Sequence, residues 1–440
     1  SLAMGGSYGN APSNVAKLAT HYAETKDKSG NRVIHRLWVY APGIGTKTGE
    51  GDSLVGSISG MGETGIVSQV RDVFANAANR VSELELPGQI RVLKVDLFGF
   101  SRGAASARHA VYEIQKGQSG ALGEAFRKEG IDWPEETKIR FVGLFDTVAA
   151  IVNPLLLDFA PGNSLNEPVR VSLDPAHVER AVHIVAADEV RKNFSLNSLR
   201  NADGSLPEAF REISLPGVHS DIGGGYPDAQ REDVLLTPYH LIPTSRHRWP
   251  EQTMQWDNLE ELRSTIVSEG WVGERSSPDQ LSERYDSATA GFGAEADSYL
   301  GIYKKVSSHP APDGRVELAL RMIREVRGEY SLIALKVMCE LAKEAGVPFR
   351  DINSSDGAKL PEDLESIAET ILDQVASGSD SPSLSTEQRA LIRQRYTHYS
   401  ANYNPLRTMV KGLVATFRLG RHFSPNAPAD SGKRTIHPNN

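Results

Sequence analysis

The stretch VDLFGFSRGAASARHA, Val95–Ala110, runs an apolar segment into Gly99-Phe100-Ser101-Arg102-Gly103 and then into an alanine-rich run. The residues before the first glycine favour a strand, and those after the second favour a helix. Gly-x-Ser-x-Gly at such a junction describes a nucleophile elbow. The serine takes a strained turn that projects its hydroxyl from the sheet edge, and the glycines let helix and strand approach. The same residues also describe a tight turn with no chemical role. What the rest of the chain sets around Ser101 decides between the two.

IRVLKVDLFGF is a continuous apolar strand of the kind buried on both faces of a parallel sheet. Three more strands follow, KIRFVGLFD, ERAVHIVAAD and FREISLPGVH, each ending in a polar residue. On the N-terminal side, SNVAKLATHYAE is a helix capped by Ser13 or Asn14, NRVIHRLWVY is strand-like, and Met61–Leu84 has helical periodicity. This alternation predicts an α/β fold: an α/β-hydrolase-like, mostly parallel, doubly wound sheet with ligands bound beyond the carboxyl ends of its strands. Helical insertions would form a cap or peripheral lobe. Composition shifts after Tyr226 toward Pro, Ser, Trp and charge, and long helices return near Val316. Three regions are therefore expected: a catalytic core over 1–226, an inserted lobe over 227–312, and a helical part over 313–440 that packs on the core. The last 30 residues read as irregular.

The 440 residues carry a net charge of -8, which disfavours sequence-independent nucleic-acid binding. Cys339 is the only cysteine, so there is no disulfide framework and no multi-cysteine zinc site. It lies mid-helix among apolar residues, as packing. No apolar run reaches the roughly 20 residues of a membrane span, and no signal peptide is visible. Gly56, Gly60, Gly62 and Gly65 form neither a phosphate loop nor a dinucleotide fingerprint. Asp221 and Asp228 do not make a metal-ligand cluster on spacing alone. No cofactor or metal is expected.

A serine nucleophile needs a base, and the base needs an orienting acid, in the chain order Ser, Asp or Glu, His. Of twelve histidines, His183 lies inside a strand and His240, His247 and His437 sit in polar loops. His219 differs: it follows REISL and precedes SDIGGGYPD, whose glycines allow close packing against the elbow. It is the expected base. Two aspartates compete as the orienting acid, Asp146 at the end of the first strand after the elbow and Asp188 at the end of the second; counting strands selects Asp188 and leaves Asp146 as its rival. Asp146 would otherwise brace the elbow or the His219 loop, or cap a helix. Asp221 would hold the His219 loop by local hydrogen bonds. The Arg102 N–H would supply one oxyanion donor at a helix N-terminus. A second would come from Gly5, Gly6 or Gly9, ahead of the first helix, or from Gly43–Thr46.

LFGFSRGAASAR, GLFDTVA, AADEVR and LPGVHSDIGGGY occur in this order. Together they resemble the first class of type VI secretion lipase effectors (the Tle family), an α/β-hydrolase group. YSLIALKVMCELAKEAGVPF, HYSANYN and NAPADSGKRTIHPNN look like the same group's C-terminal half. The resemblance implies a phospholipase A, of A1 or A2 type, that kills rival bacteria by degrading their membranes. It gives Ser101, Asp188 and His219 the triad roles. It also implies a lipid-facing lobe, a phospholipid substrate at a membrane surface, a cognate immunity protein and a secretion-apparatus spike protein as partners. Delivery would run from the producer's cytoplasm to the target's periplasm. The family opens with a strand ending in Phe-Asp-Gly-Thr before its first helix. That strand is absent here, which leaves the second oxyanion donor open.

The leading expectation is a serine hydrolase of phospholipid esters. The alternatives are a carboxylesterase for soluble esters on the same scaffold and a non-catalytic binding module that keeps the fold.

Overall fold

The computed structural model describes residues 11–29, 32–43, 63–84, 86, 88–149, 168–242, 250–273, 298–306, 316–404, 408–410, 413–415, 424 and 426–439. Helix α1 (Asn14–His21) opens on Ser13, whose hydroxyl accepts from the Ala16 N–H at 3.3 Å and so satisfies a first-turn donor. The hairpin β1 (Thr25–Ser29) and β2 (Arg32–Arg36) precedes helix α2 (Glu63–Ser82). Strand β3 (Val92–Phe100) passes straight through Ser101 into α3 (Arg102–Gln115), followed by α4 (Ala121–Lys128) and β4 (Glu136–Phe145). Next come β5 (Ala181–Ala186), β6 (Leu196–Asn197), β7 (Phe210–Leu215) and the short helix α5 (His219–Gly223). Strands β8 (Gln230–Leu235) and β9 (His240–Ile242), helix α6 (Met254–Ser268), and strands β10 (Ser298–Val306) and β11 (Val316–Val326) form the peripheral lobe. Helices α7 (Ser331–Glu344), α8 (Glu362–Ala376) and α9 (Thr386–Arg395) follow, then the short strands β12 (Thr408–Val410), β13 (Leu413–Ala415) and β14 (Ile436–His437).

The central sheet has the order β3-β4-β5-β7, with every neighbouring pair parallel. Its continuous apolar runs are buried on both faces. On β4, Phe141 and Phe145 enter one core while Val142 and Leu144 enter the other. Helices α2, α3 and α4 cover the second face through Val70, Phe74, Val111 and Phe126. Helices α1, α7 and α8 cover the first through Leu18, Leu335, Met338 and Ile367. This is the doubly wound arrangement expected from the strand segments, and it brings the carboxyl ends of β3, β4, β5 and β7 to one edge. Cys339 is buried within α7 as packing.

Strands β8 and β9 pair with β11, and β11 pairs with β10, all antiparallel. With α6 they enclose a separate apolar core around Leu259, Trp271, Leu318 and Met322. The regional boundary read at Pro312 therefore falls between two paired strands. The change in composition does not mark a change of structural unit, because antiparallel pairing draws β11 into the lobe. The segment Asn426–Asn439 has little regular structure, but β14 adds to β6 in parallel register.

One of the motif's two glycines sets the elbow. A Cβ on Gly99 would lie 2.2 Å from the Gly103 carbonyl oxygen and 2.5 Å from Ala104 Cα, whereas one on Gly103 would meet nothing within 4 Å. The close approach thus belongs to the first glycine of the motif alone. Gly99→Ala should destabilise the fold by about 1–3 kcal/mol through backbone overpacking, and Gly103→Ala by less than about 0.5 kcal/mol. Urea-unfolding midpoints of the two variants check this contrast.

Candidate active site

Ser101 holds φ 56° and ψ -122°, outside the regions that L-residues ordinarily occupy. Such a conformation costs about 1–3 kcal/mol and persists only where the surroundings enforce it. Here the Ser101 N–H donates to the Phe145 carbonyl at 3.1 Å, while the Ser101 carbonyl accepts from the Ala104 and Ala105 N–H groups at 3.0 and 3.2 Å. The strand before the elbow and the helix after it are both fixed, so the turn between them is too. Arg102 is the first residue of α3, so its backbone N–H sits at a helix N-terminus.

His219 opens α5, four residues past the end of β7. Its ring lies against Phe100, the residue before Ser101, with centroids 4.6 Å apart, and against Phe194 at 5.0 Å. A Cβ on Gly223 would fall 2.0 Å from the Phe100 ring. That explains a glycine of the SDIGGGY run: it lets the His219 helix sit down on the elbow.

The His219 Nδ1–H donates to Asp146 Oδ2 at 2.5 Å. Asp146 follows β4 with φ 41° and is fully buried. Its carboxylate also accepts from the Ala186 N–H at 3.0 Å and from both terminal nitrogens of Arg434 at 2.7 and 2.8 Å. Burial opposes ionisation of Asp146, but Arg434 and the His219 hydrogen bond overcome it and hold the carboxyl far below the usual carboxylate range. Burial pushes the His219 imidazole below its ordinary value; Asp146 raises it, and Arg191 and Arg434 oppose that rise. The ring is therefore neutral at pH 7, with Nδ1 protonated and Nε2 the basic nitrogen.

Asp188, selected above as the acid, is not hydrogen-bonded to His219. Its Oδ2 accepts from the Gly217 N–H at 2.6 Å and its own N–H donates to the Gly217 carbonyl at 3.0 Å. It fastens the chain after β5 to the chain entering α5, and burial raises its pKa. Strand counting misleads because the positive-φ turn at Asp146 carries that carboxylate across to the end of β5, where the Ala186 N–H meets it. Asp221 accepts from the Val218 N–H at 3.0 Å, and it also holds the backbone and Nδ1 of His398 at 3.0 and 2.8 Å. His398 stacks on Tyr226 with centroids 3.5 Å apart.

Several site residues, Glu189 and Arg191 within AADEVR among them, carry a role that the sequence does not announce. Glu189 accepts from the His219 N–H at 3.3 Å and from the Arg191 guanidinium at 2.7 and 3.0 Å. His183 and Glu212 form a buried pair at 3.1 Å, and His183 Nε2 accepts from the Thr147 N–H at 3.0 Å, which fixes the chain after Asp146. Arg434 had no signal beyond its place in NAPADSGKRTIHPNN. Among the described residues, no group of three or more His, Cys, Asp or Glu side chains is arranged to hold a metal ion. Of the expected oxyanion loops, Gly5, Gly6 and Gly9 and the stretch Ile44–Thr46 lie outside the described residues.

The family model for the catalytic domain of Tle1-like type VI secretion phospholipase effectors matches residues 3–122 and 111–256. The chain belongs to the Tle1-like phospholipase effector family. Its catalytic domain is therefore that of a phospholipase-type hydrolase, and its secretion route is type VI. A solved Tle1 effector, in complex with the VgrG spike of the type VI secretion system, superimposes with a TM-score of 0.71 at 24% identity, covering 98% of this chain and 83% of that one. An uncharacterized protein from Pseudomonas aeruginosa gives a TM-score of 0.29 at 19% identity, over 75% of this chain and 34% of that one, too little to carry an argument. No curated protein matches the chain. No helix among the described residues is long and apolar enough to cross a membrane.

Asp146→Asn should lower kcat on phospholipid about 10⁴-fold, as loss of the orienting acid does in a serine triad. Asp188→Asn should leave kcat within about tenfold of wild type, because an amide oxygen still accepts from Gly217. Initial rates of fatty-acid release compare them. With His219 depressed, the acid limb of kcat/KM should lie below about pH 6.5, read from a pH–rate profile.

Proposed function

We propose that this chain is a serine phospholipase that hydrolyses phospholipid acyl esters through Ser101, His219 and Asp146. The observation that carries the reading is the position of His219, packed against the residue before a strained Ser101 and bonded through Nδ1 to a buried carboxylate. Ser101 Oγ attacks the acyl carbonyl carbon while its proton passes to His219 Nε2. The acyl C–O bond then breaks, and His219 returns the proton to the departing lysophospholipid oxygen. Water, deprotonated by His219, attacks the acyl-enzyme; the fatty acid leaves and Ser101 recovers its proton. Asp146 holds the ring in the Nδ1–H tautomer and stabilises the imidazolium.

The Arg102 N–H supplies one oxyanion donor in this mechanism. The loop ahead of α1 supplies the second. In support, the Ala11 N–H donates to the Gly225 carbonyl at 3.0 Å and Ser13 bridges Gly224, beside the His219 helix. The lobe of β8–β11 and α6 meets the lipid surface, a role supported by the exposed Leu241, Met254 and Val267. By likeness to the Tle1 effector bound to VgrG, the chain rides a spike protein of the type VI system; entry into a rival cell's periplasm and an immunity protein in the producer complete the proposal.

The test is mass-spectrometric product analysis on phospholipids with different chains at the two positions. Wild type should release one fatty acid and a lysophospholipid, and Ser101→Ala should lose kcat on the order of 10⁶-fold. Retained hydrolysis in Ser101→Ala overturns the mechanism. Turnover of soluble short-chain esters without phospholipid products would replace it with the esterase.

A further inference from the structure

Arg434 is brought to the active site from far along the chain. Its Nη1 and Nη2 donate to the two oxygens of Asp146, 288 residues away, and its Nε donates to the Phe194 carbonyl at 2.6 Å. One planar fork thus grips both the carboxylate bonded to His219 and the residue whose ring packs on His219. Its side chain is only 7% exposed. The segment that carries it is fastened on both sides. Before Arg434, Ala429 N–H donates to the Val190 carbonyl at 2.8 Å and Lys192 N–H to the Ala427 carbonyl at 3.0 Å. After it, Leu196 N–H donates to the Thr435 carbonyl and Ser198 N–H to the His437 carbonyl, both at 2.9 Å. Beyond these, the Asn439 side chain accepts from the Leu173 N–H and Arg108 Nη2. The segment closes over the ends of β4 and β5 like a clasp.

We propose that Arg434 is a positioning residue of the catalytic centre, and that docking of the clasp Asn426–Asn439 sets the orientation of the Asp146 carboxylate and, through it, of His219. This rests on the Ser101–His219–Asp146 reading above. Two physical effects follow. A fully buried carboxylate with one imidazole donor and one backbone donor is undercompensated, and removing a buried charge partner is strongly destabilising to the group left behind. The guanidinium fork satisfies both oxygens at once and fixes the carboxylate plane, which a lysine point charge does not. The positive charge also offsets that of Asp146, so that Asp146 does not lock His219 in its protonated form. The charged groups facing His219 are Asp146 at the end of β4, Glu189 and Arg191 after β5, and Arg434 on the clasp. Of the two arginines that lower its pKa, Arg434 alone also bonds the orienting carboxylate.

The experiment uses the full chain on phospholipid vesicles, with Arg434→Gln and Arg434→Lys beside Ser101→Ala. Arg434→Gln should lower kcat about 100-fold, the effect of a small misplacement of a reacting group, with KM unchanged. The acid limb of its kcat/KM profile should move to higher pH. Guanidinium ion at millimolar concentration should restore part of the rate, and Arg434→Lys should recover the position of the acid limb but not kcat. A merely structural role predicts a lowered melting temperature with an unmoved acid limb and no rescue, and that result overturns the proposal. Should Arg434→Gln not fold, Arg434→Lys decides: wild-type kcat there also overturns it. Fluorophosphonate labelling separates the two layers. Absence of labelling in wild type, or full activity of Ser101→Ala, sinks the Ser101–His219–Asp146 reading itself. Normal wild-type labelling, with slowed labelling of Arg434→Gln to the same final stoichiometry, supports the clasp.

Discussion

The ionised Asp146 carboxylate, buried at the end of β4, receives four hydrogen bonds from three parts of the chain: Ala186 at the end of β5, His219 at α5, and the two nitrogens of Arg434. An isolated buried charge costs several kcal/mol or more, so these donors are a condition of the fold and not an ornament to it. Each donor in turn requires its own support. Ala186 is placed by parallel pairing of β5 with β7, His219 by Glu189 and the glycines that let α5 reach Phe100, and Arg434 by β14 against β6.

The strain at Ser101 belongs to the same scheme. A residue at φ 56° relaxes unless both flanking elements are immobile. The β3–β4 pairing fixes one side and the first turn of α3 the other, while Gly99 allows them to meet. The two non-glycine residues with positive φ among the described residues, Ser101 and Asp146, stand at the ends of adjacent parallel strands. Backbone cost is concentrated at these two strand ends, whose side chains the proposed reaction would have to aim.

Much of this was legible in the residues. The apolar runs of β3, β4 and β5 announced a sheet buried on both faces, and the Gly-x-Ser-x-Gly junction announced its turn. His219 stood out because a triple glycine beside a strand end has a physical meaning. The partner of His219 was not legible, because Asp146 and Asp188 both end strands and differ only in a backbone dihedral that sequence does not print. Arg434 was hidden for another reason: a contact 288 residues long has no periodicity to betray it. The extent of the lobe escaped because the chain from Val316 reads as long helix, whereas Val316–Val326 is the strand β11, drawn into the lobe by pairing with β10 and β8.

The parallel pairing of β14 with β6 has a consequence for the order of assembly. Closing a loop of 288 residues costs entropy that grows only logarithmically with length, yet it must be met before the contact returns anything. The Arg434 fork therefore forms when the intervening core already holds its ends together. A half-folded chain can own the sheet, the elbow and the histidine and still lack the charge that steadies the acid. The state of Asp146 is thus a reporter of global, not local, folding.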